Sequence, residues 1–155
     1  MVRTAVELDD TDRRIVALLQ ADGRMSIREV AERAHVSRTN AYARLDRLRA
    51  TGVITGFTAV VDPERYGIVL SAYIAVKVRQ NVWRRFRGRL ADIPEVHHAA
   101  LVSGDFDVLL LVRTTDLGAL RDLVLERLQD MPEVLTTQTL FILDEFNRTP
   151  GPAAP

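Results

Sequence analysis

The stretch that most restricts what this chain can become is residues 26–54, SIREVAERAHVSRTNAYARLDRLRATGVI, in which two short helical patterns flank a tight break. Ile27, Val30, Ala31 and Ala34 recur at helical spacing, as do Ala41, Leu45 and Leu48, so each segment carries one apolar stripe. Between them stands His35-Val36-Ser37. The Ser37 hydroxyl suits the N-cap of the second segment, where it can accept a hydrogen bond from an amide left unpaired in the first turn. Two helices joined so closely form a helix-turn-helix, the arrangement that offers its second helix to a DNA major groove. Ser37, Arg38, Thr39, Asn40 and Arg44 are the contact candidates on that helix, with Arg47 placed for a phosphate. Over residues 37–51 four arginines (38, 44, 47 and 49) face the single Asp46, a local +3 in a chain of formal net charge zero. An ordinary solvated helical hairpin would show the same spacing, so the flanking sequence has to separate the two readings.

Upstream, residues 1–7 read as a short arm, and Asp9 or Asp10 opens a helix that buries Ile15, Leu18 and Leu19 and closes at Asp22-Gly23. Downstream, Gly52 ends the third helix, and VITGFTAVVD at 53–62 is rich in β-branched residues and predicts one or two strands. Strand material after three helices is the pattern of a winged helix-turn-helix, taken to occupy residues 1–61. The polar, turn-forming residues 62–67 are the expected linker.

From residue 68 the rhythm changes. In IVLSAYIAVKVRQ, residues 70, 72, 74, 76 and 78 are uniformly apolar and predict the buried face of a strand. A helix over 81–92 follows, with Val82, Phe86 and Leu90 on one side, ended at Ile93-Pro94. Strands at 95–103 and 106–113 meet at the turn Gly104-Asp105. Asp116 caps a helix burying Leu117, Leu120, Leu123, Val124 and Leu128, and a last strand runs over 133–146. The order βαββαβ is that of a ferredoxin-like sandwich over residues 68–147, a four-stranded antiparallel sheet with both helices on one face. The chain is thus expected to be α+β, with a dimer formed through the open sheet face around Tyr73 and Ala75. The Pro- and Ala-rich residues 148–155 are expected to be a disordered tail.

Composition removes several function classes. Lys77 is the only lysine, and there is no cysteine, hence no disulfide or thiolate chemistry, which suits a reducing cytoplasm. The first ten residues lack the apolar run of a signal peptide, and no segment approaches membrane-spanning length. Phosphate-loop, HExxH and GxSxG patterns are missing, as is any Cys/His metal spacing, so no catalytic residue, metal or cofactor is expected. His97 and His98, adjacent on a strand, should point to opposite faces and so ill suit one metal.

Taken together these stretches resemble the leucine-responsive/asparagine (Lrp/AsnC, feast/famine) family of transcription regulators. The resemblance rests on Leu8-Asp9 with Asp12, Ile15 and Leu18; on Asp22-Gly23-Arg24; on Ser37 with Arg44, Leu45 and Leu48; and on Gly52-Val53-Ile54 with Gly56-Phe57. It continues through Asp62-Pro63, Gly67, Ile93-Pro94-Glu95-Val96 and Gly104-Asp105-Phe106-Asp107, and spans roughly residues 8–146. It implies double-stranded DNA as partner, read as an imperfect palindrome. It also implies a homodimer assembling further, frequently to an octamer, and a small-molecule effector, often an amino acid. By the same resemblance Ser103, Gly104, Asp105, Phe106 and Asp107 form the effector loop, where glycine-turn amides and a carboxylate suit a zwitterion; the rival reading is a plain turn between strands. Thr136, Thr137 and Gln138 either line the same cleft or face water on an edge strand. The chain departs from the family at His35, where glycine is usual and which tolerates a positive φ, and at Phe106, where tyrosine is usual. Sirohaem decarboxylases resemble the same two-domain arrangement and supply the enzymatic alternative, with His97 or His98 beside Arg79 or Arg113.

Overall fold

A computed structural model describes residues 5–145, which divide into two compact units, one ending at Val60 and the other beginning at Val61. In the first, helix α1 (Asp10–Ala21) starts at Asp9. The Asp9 carboxylate accepts from the Asp12 amide at 2.8 Å and the Asp9 amide donates to the Asp12 carboxylate at 3.2 Å, a reciprocal capping box. Helix α2 (Ile27–Ala34) is capped by Ser26, and α3 (Arg38–Ala50) by Ser37, whose hydroxyl accepts from the Asn40 amide at 3.2 Å. Ile15, Leu19, Met25, Val30, Ala34 and Leu48 close into one core, with Leu45, Val53 and Ile54 packed on its edge. Fully buried members such as Ile15 and Leu48 each contribute roughly 1.5–3 kcal/mol by leaving water.

The turn depends on His35, which takes the left-handed conformation at φ 57° and ψ 45° and so lets the Val36 amide reach back to the Ala31 carbonyl at 3.0 Å. Gly52, at φ 71°, ends α3 in the same way.

The strand pairing expected over residues 53–62 does not form. Val53 and Ile54 lean on the core, but residues 55–62 carry no strand, and Phe57, Val60 and Val61 are exposed. A strand exists only through a partner's ladder, and no described segment supplies one here. Residues 62–67, expected as a linker, fold back as a compact turn in which the Ile68 amide donates to the Pro63 carbonyl at 2.8 Å.

The second unit is a four-stranded antiparallel sheet in the order β2-β3-β1-β4, formed by β1 (Leu70–Val78), β2 (Val96–Leu101), β3 (Val108–Thr114) and β4 (Val134–Phe141). Ala72, Ile74, Val76 and Val78 pack with Val108, Leu110 and Val112 against Phe86 and Leu90 of α4 (Trp83–Leu90) and Leu120 of α5 (Leu117–Asp122), the face that the alternation predicts. Asp116 caps α5 by accepting from the Ala119 amide at 2.9 Å. The helix expected to run on from α5 changes instead to a π-helical turn over Leu123–Leu128. The extra residue per turn brings Leu123 and Leu128, five apart, both into the core, where an α-helix would swing one of them away. Residues 146–155, including the expected tail, lie outside the described residues.

Candidate nucleic-acid interface and effector loop

Ala41 and Leu48 anchor α3 in the core and leave Arg38, Thr39, Asn40, Tyr42, Arg47 and Arg49 exposed. Arg38 and Thr39 have no side-chain partner among the described residues. Ser37 is engaged as the cap. Arg44 behaves differently: its Nη1 lies 2.7 Å from Asp12 Oδ1 and 2.7 and 2.8 Å from the two Asp9 oxygens, while its Nε donates to Asn40 Oδ1 at 2.7 Å. Arg47 Nη2 reaches the other Asp12 oxygen. Asp12 is wholly buried, so the arginines compensate a carboxylate that would otherwise be prohibitively costly inside the unit.

This cluster fixes α3 against the start of α1 and leaves Arg44 only 23% exposed. Bonding to Arg44, and then to the Asp12 amide, holds the Asp9 carboxyl below its ordinary value, and the same contacts to Asp9 and then Asp12 raise Arg44. Of the six candidates, Arg38 and Thr39 stand free, Asn40 and Arg47 are exposed but tethered, and Ser37 and Arg44 are used internally. Tyr42, 56% exposed and one turn beyond Arg38, is the outward residue that the charge-based reading passed over. Its helical phase beside Arg38 and Arg49 was the available signal.

In the second unit Ser103, Gly104 and Asp105 are exposed, Phe106 and Asp107 half-buried, and Gly104 takes φ 133°, a backbone setting that favours glycine. Asp107 faces inward: Oδ2 accepts from the Val78 amide at 2.9 Å and Oδ1 lies 3.3 Å from Lys77 Nζ. The amide bond first, and Lys77 after it, hold this carboxyl below the ordinary range. Asp105 has no such partner among the described residues. Thr136 and Gln138 are exposed on edge strand β4, paired in register with Lys77 and Ala75, and Thr137 accepts from Gln129 Nε2 at 3.0 Å.

The two histidines do not obey simple alternation. A register shift between Val96 and His98 inserts an extra residue into β2, and both His97 and His98 are exposed. Among the described residues no group of three His, Cys, Asp or Glu side chains is placed to hold a metal. Arg79 Nε donates to the Pro132 carbonyl at 3.0 Å, and Arg113 pairs with Glu145 at 2.8 Å, so both arginines of the decarboxylase alternative are engaged. No described helix is long and apolar enough to cross a membrane.

A helix-turn-helix on one unit and an α+β sandwich on the other define the class of two-domain transcription regulators. Comparison with known proteins gives the family. The AsnC-type helix-turn-helix domain matches residues 8–49 and the Lrp/AsnC ligand binding domain matches residues 71–152. The HTH-type transcriptional regulator FL11 of Pyrococcus horikoshii is 32% identical over 144 residues, 93% of this chain and 95% of the relative. The proline dehydrogenase transcriptional activator of Rhizobium radiobacter is 34% identical over 146 residues, 92% of this chain and 94% of its own. The solved complex of a transcriptional regulator from Neisseria meningitidis with L-Met is similar at a TM-score of 0.86 and 31% identity, covering 94% of this chain and 96% of that one. The chain belongs to the Lrp/AsnC family of transcription regulators and carries that family's DNA-binding and ligand-binding domains.

Proposed function

We propose that residues 1–61 read duplex DNA and residues 68–147, joined to them through 62–67, bind an amino acid that alters assembly or DNA geometry. The observation that carries the reading is α3 itself: a capped, internally braced helix whose Arg38, Thr39, Tyr42, Asn40 and Arg47 remain at the surface. Arg38 and Thr39 make the base and phosphate contacts, Arg47 reaches a phosphate, and Ser37 and Arg44 act by holding the helix in place. A dimer through the open sheet face, where Tyr73 lies opposite Leu111 and Leu140, places two such helices on an imperfect palindrome, and further pairing of dimers leads toward an octamer.

The relative solved with L-Met supports an amino acid as effector. In this chain the exposed amides of Ser103 and Gly104 suit its carboxylate and Asp105 its ammonium, with Phe106 beside them and Asp107 anchoring the base of the loop. The protein acts in the cytoplasm without catalysing a reaction, as relatives named as regulators suggest.

The test is a titration against duplexes enriched from a random pool, with and without each amino acid, at two salt concentrations. Tight, salt-steep and sequence-selective binding that one amino acid shifts is the expected outcome. Binding no tighter than to random duplex refutes the DNA reading, and indifference to the whole panel refutes the effector.

A further inference from the structure

The densest charge in the chain lies outside the helix-turn-helix. Residues 79–91 hold five arginines (79, 84, 85, 87 and 89) and no acid, in a chain with 21 basic and 21 acidic residues. Four of them ride on α4, whose Phe86 and Leu90 are buried against the sheet and whose Trp83 packs on the same core. Arg84, Arg85, Arg87 and Arg89 are all exposed, so the outward surface of this helix is guanidinium throughout.

Ion pairing singles the patch out. Elsewhere in this unit every basic side chain lies beside a carboxylate: Arg65 with Asp62, Lys77 with Asp107, Arg113 with Glu145, Arg121 with Asp122 and Arg127 with Glu95. On the patch, Arg85 and Arg89 stand 2.7 and 3.6 Å from one oxygen of Glu133, whose side chain is only 3% exposed and braces them from beneath. Arg79, Arg84 and Arg87 have no carboxylate within pairing distance among the described residues. Gly88, one turn beyond Arg84, adds to the picture. A mid-helix glycine is less stable than alanine, and a Cβ there would meet nothing within 4 Å, so packing does not require it. It leaves bare backbone among the guanidinium groups, where a bulky anion can approach.

We propose that the arginine face of α4 is a second, sequence-independent phosphate-contact surface for duplex DNA, engaged when the duplex extends beyond the operator. This rests on the DNA-regulator reading above. The face has no apolar centre, which a protein interface would require, whereas neutralising a phosphate backbone needs only unpaired cations, and the arginine fork fits phosphate oxygens.

The experiment uses the full chain and an operator enriched from a random pool by the wild type. Binding is measured across a salt series on a duplex carrying the operator alone and on one extended by about 20 base pairs, roughly two helical turns, at each end. The Arg84→Ala/Arg87→Ala variant removes two exposed cations that touch no carboxylate, so its melting curve should match the wild type. On the long duplex its log K against log salt should flatten by about 2 per engaged protomer, with affinity falling on the order of tenfold at low salt, while the short duplex is unaffected. Arg84→Lys/Arg87→Lys should restore most of the slope. An unchanged slope on the long duplex, with operator binding intact, overturns the patch and leaves the regulator reading standing. So does a variant that binds DNA normally but no longer binds a polyglutamate peptide, which would assign the face to an acidic protein. A wild type that enriches no sequence and binds neither duplex overturns both.

Discussion

Each unit contains a carboxylate that the fold turns to internal use, and the two differ in depth. Asp12 is wholly buried in the first unit and is met by two arginines and the capping box with Asp9. Asp107 is a third exposed in the second and is met by one backbone amide and the only lysine. Water surrounds the Asp107 pair, whereas Asp12 itself is out of reach of water and depends on its arginines and the Asp9 amide. A buried carboxylate has only its protein partners to answer its charge, whereas a half-exposed one is also solvated. That suits the roles proposed for the two units, a rigid reading helix on one and a responsive loop on the other.

Asp12→Ala should have the largest effect. It removes the buried carboxylate shared by Arg44, Arg47 and the capping box, while Arg44 keeps Asp9 and Arg47 keeps water, and is expected to cost about 1.5–3 kcal/mol, a fall of roughly 5 °C in melting temperature. Asp107→Ala should lower the melting point by far less, and equal losses in the two variants would break the comparison.

Arg44 and Arg38 sharpen it on the functional side. Arg44→Ala should weaken DNA binding and lower the melting temperature together, because it removes the brace between α3 and α1. Arg38→Ala should weaken binding by about 1–3 kcal/mol, roughly 5- to 150-fold, while leaving the melting curve in place. A reversed pattern, with Arg44→Ala stable and Arg38→Ala unfolded, would refute the placement of α3.

Acid should act on both sites in the same direction. Asp9 and Asp107 have folded values below the ordinary carboxylate value of 3.8, so each adds stability that is fully present above that value and is lost as pH falls through the folded one. Unfolding measured between pH 5 and about 2 should show the loss beginning near pH 4. Asp107→Asn should shrink the loss in the wild type rather than enlarge it. A variant whose acid sensitivity matched the wild type would show that the Val78 amide and Lys77 do not favour the charged form.

Local chemistry made much of this molecule legible. Ser37 announces a cap because its hydroxyl answers an amide three residues away, and residues 70 to 78 announce a strand because alternation is a property of single residues. What stayed illegible shares a cause, since each feature depends on a partner remote in sequence. The bond of Arg44 to Asp9, thirty-five positions earlier, is not legible in the recognition helix itself. Residues 53–62 read as strand, but propensity supplies no ladder. The π-turn at Leu123–Leu128 brings two leucines into a core built from strands remote in sequence, and neither periodicity nor composition announces it or the extra residue at His97.

His35 holds the left-handed turn between α2 and α3, and it sets the smallest expected effect. Its φ of 57° is the left-handed setting that costs an L-residue roughly 1–2 kcal/mol, and its exposed side chain makes no hydrogen bond among the described residues that would offset this. Glycine relieves that strain but has more freedom to lose on folding, about 0.5–1 kcal/mol. The balance predicts that His35→Gly stabilises the chain by about 0.5–1 kcal/mol, a rise on the order of 2 °C, with DNA affinity unchanged because the turn keeps its shape. Denaturant unfolding of both proteins measures the difference. A loss of stability instead would mean that the imidazole holds the turn through a contact of its own, and a loss of DNA affinity alone would make His35 part of the reading surface.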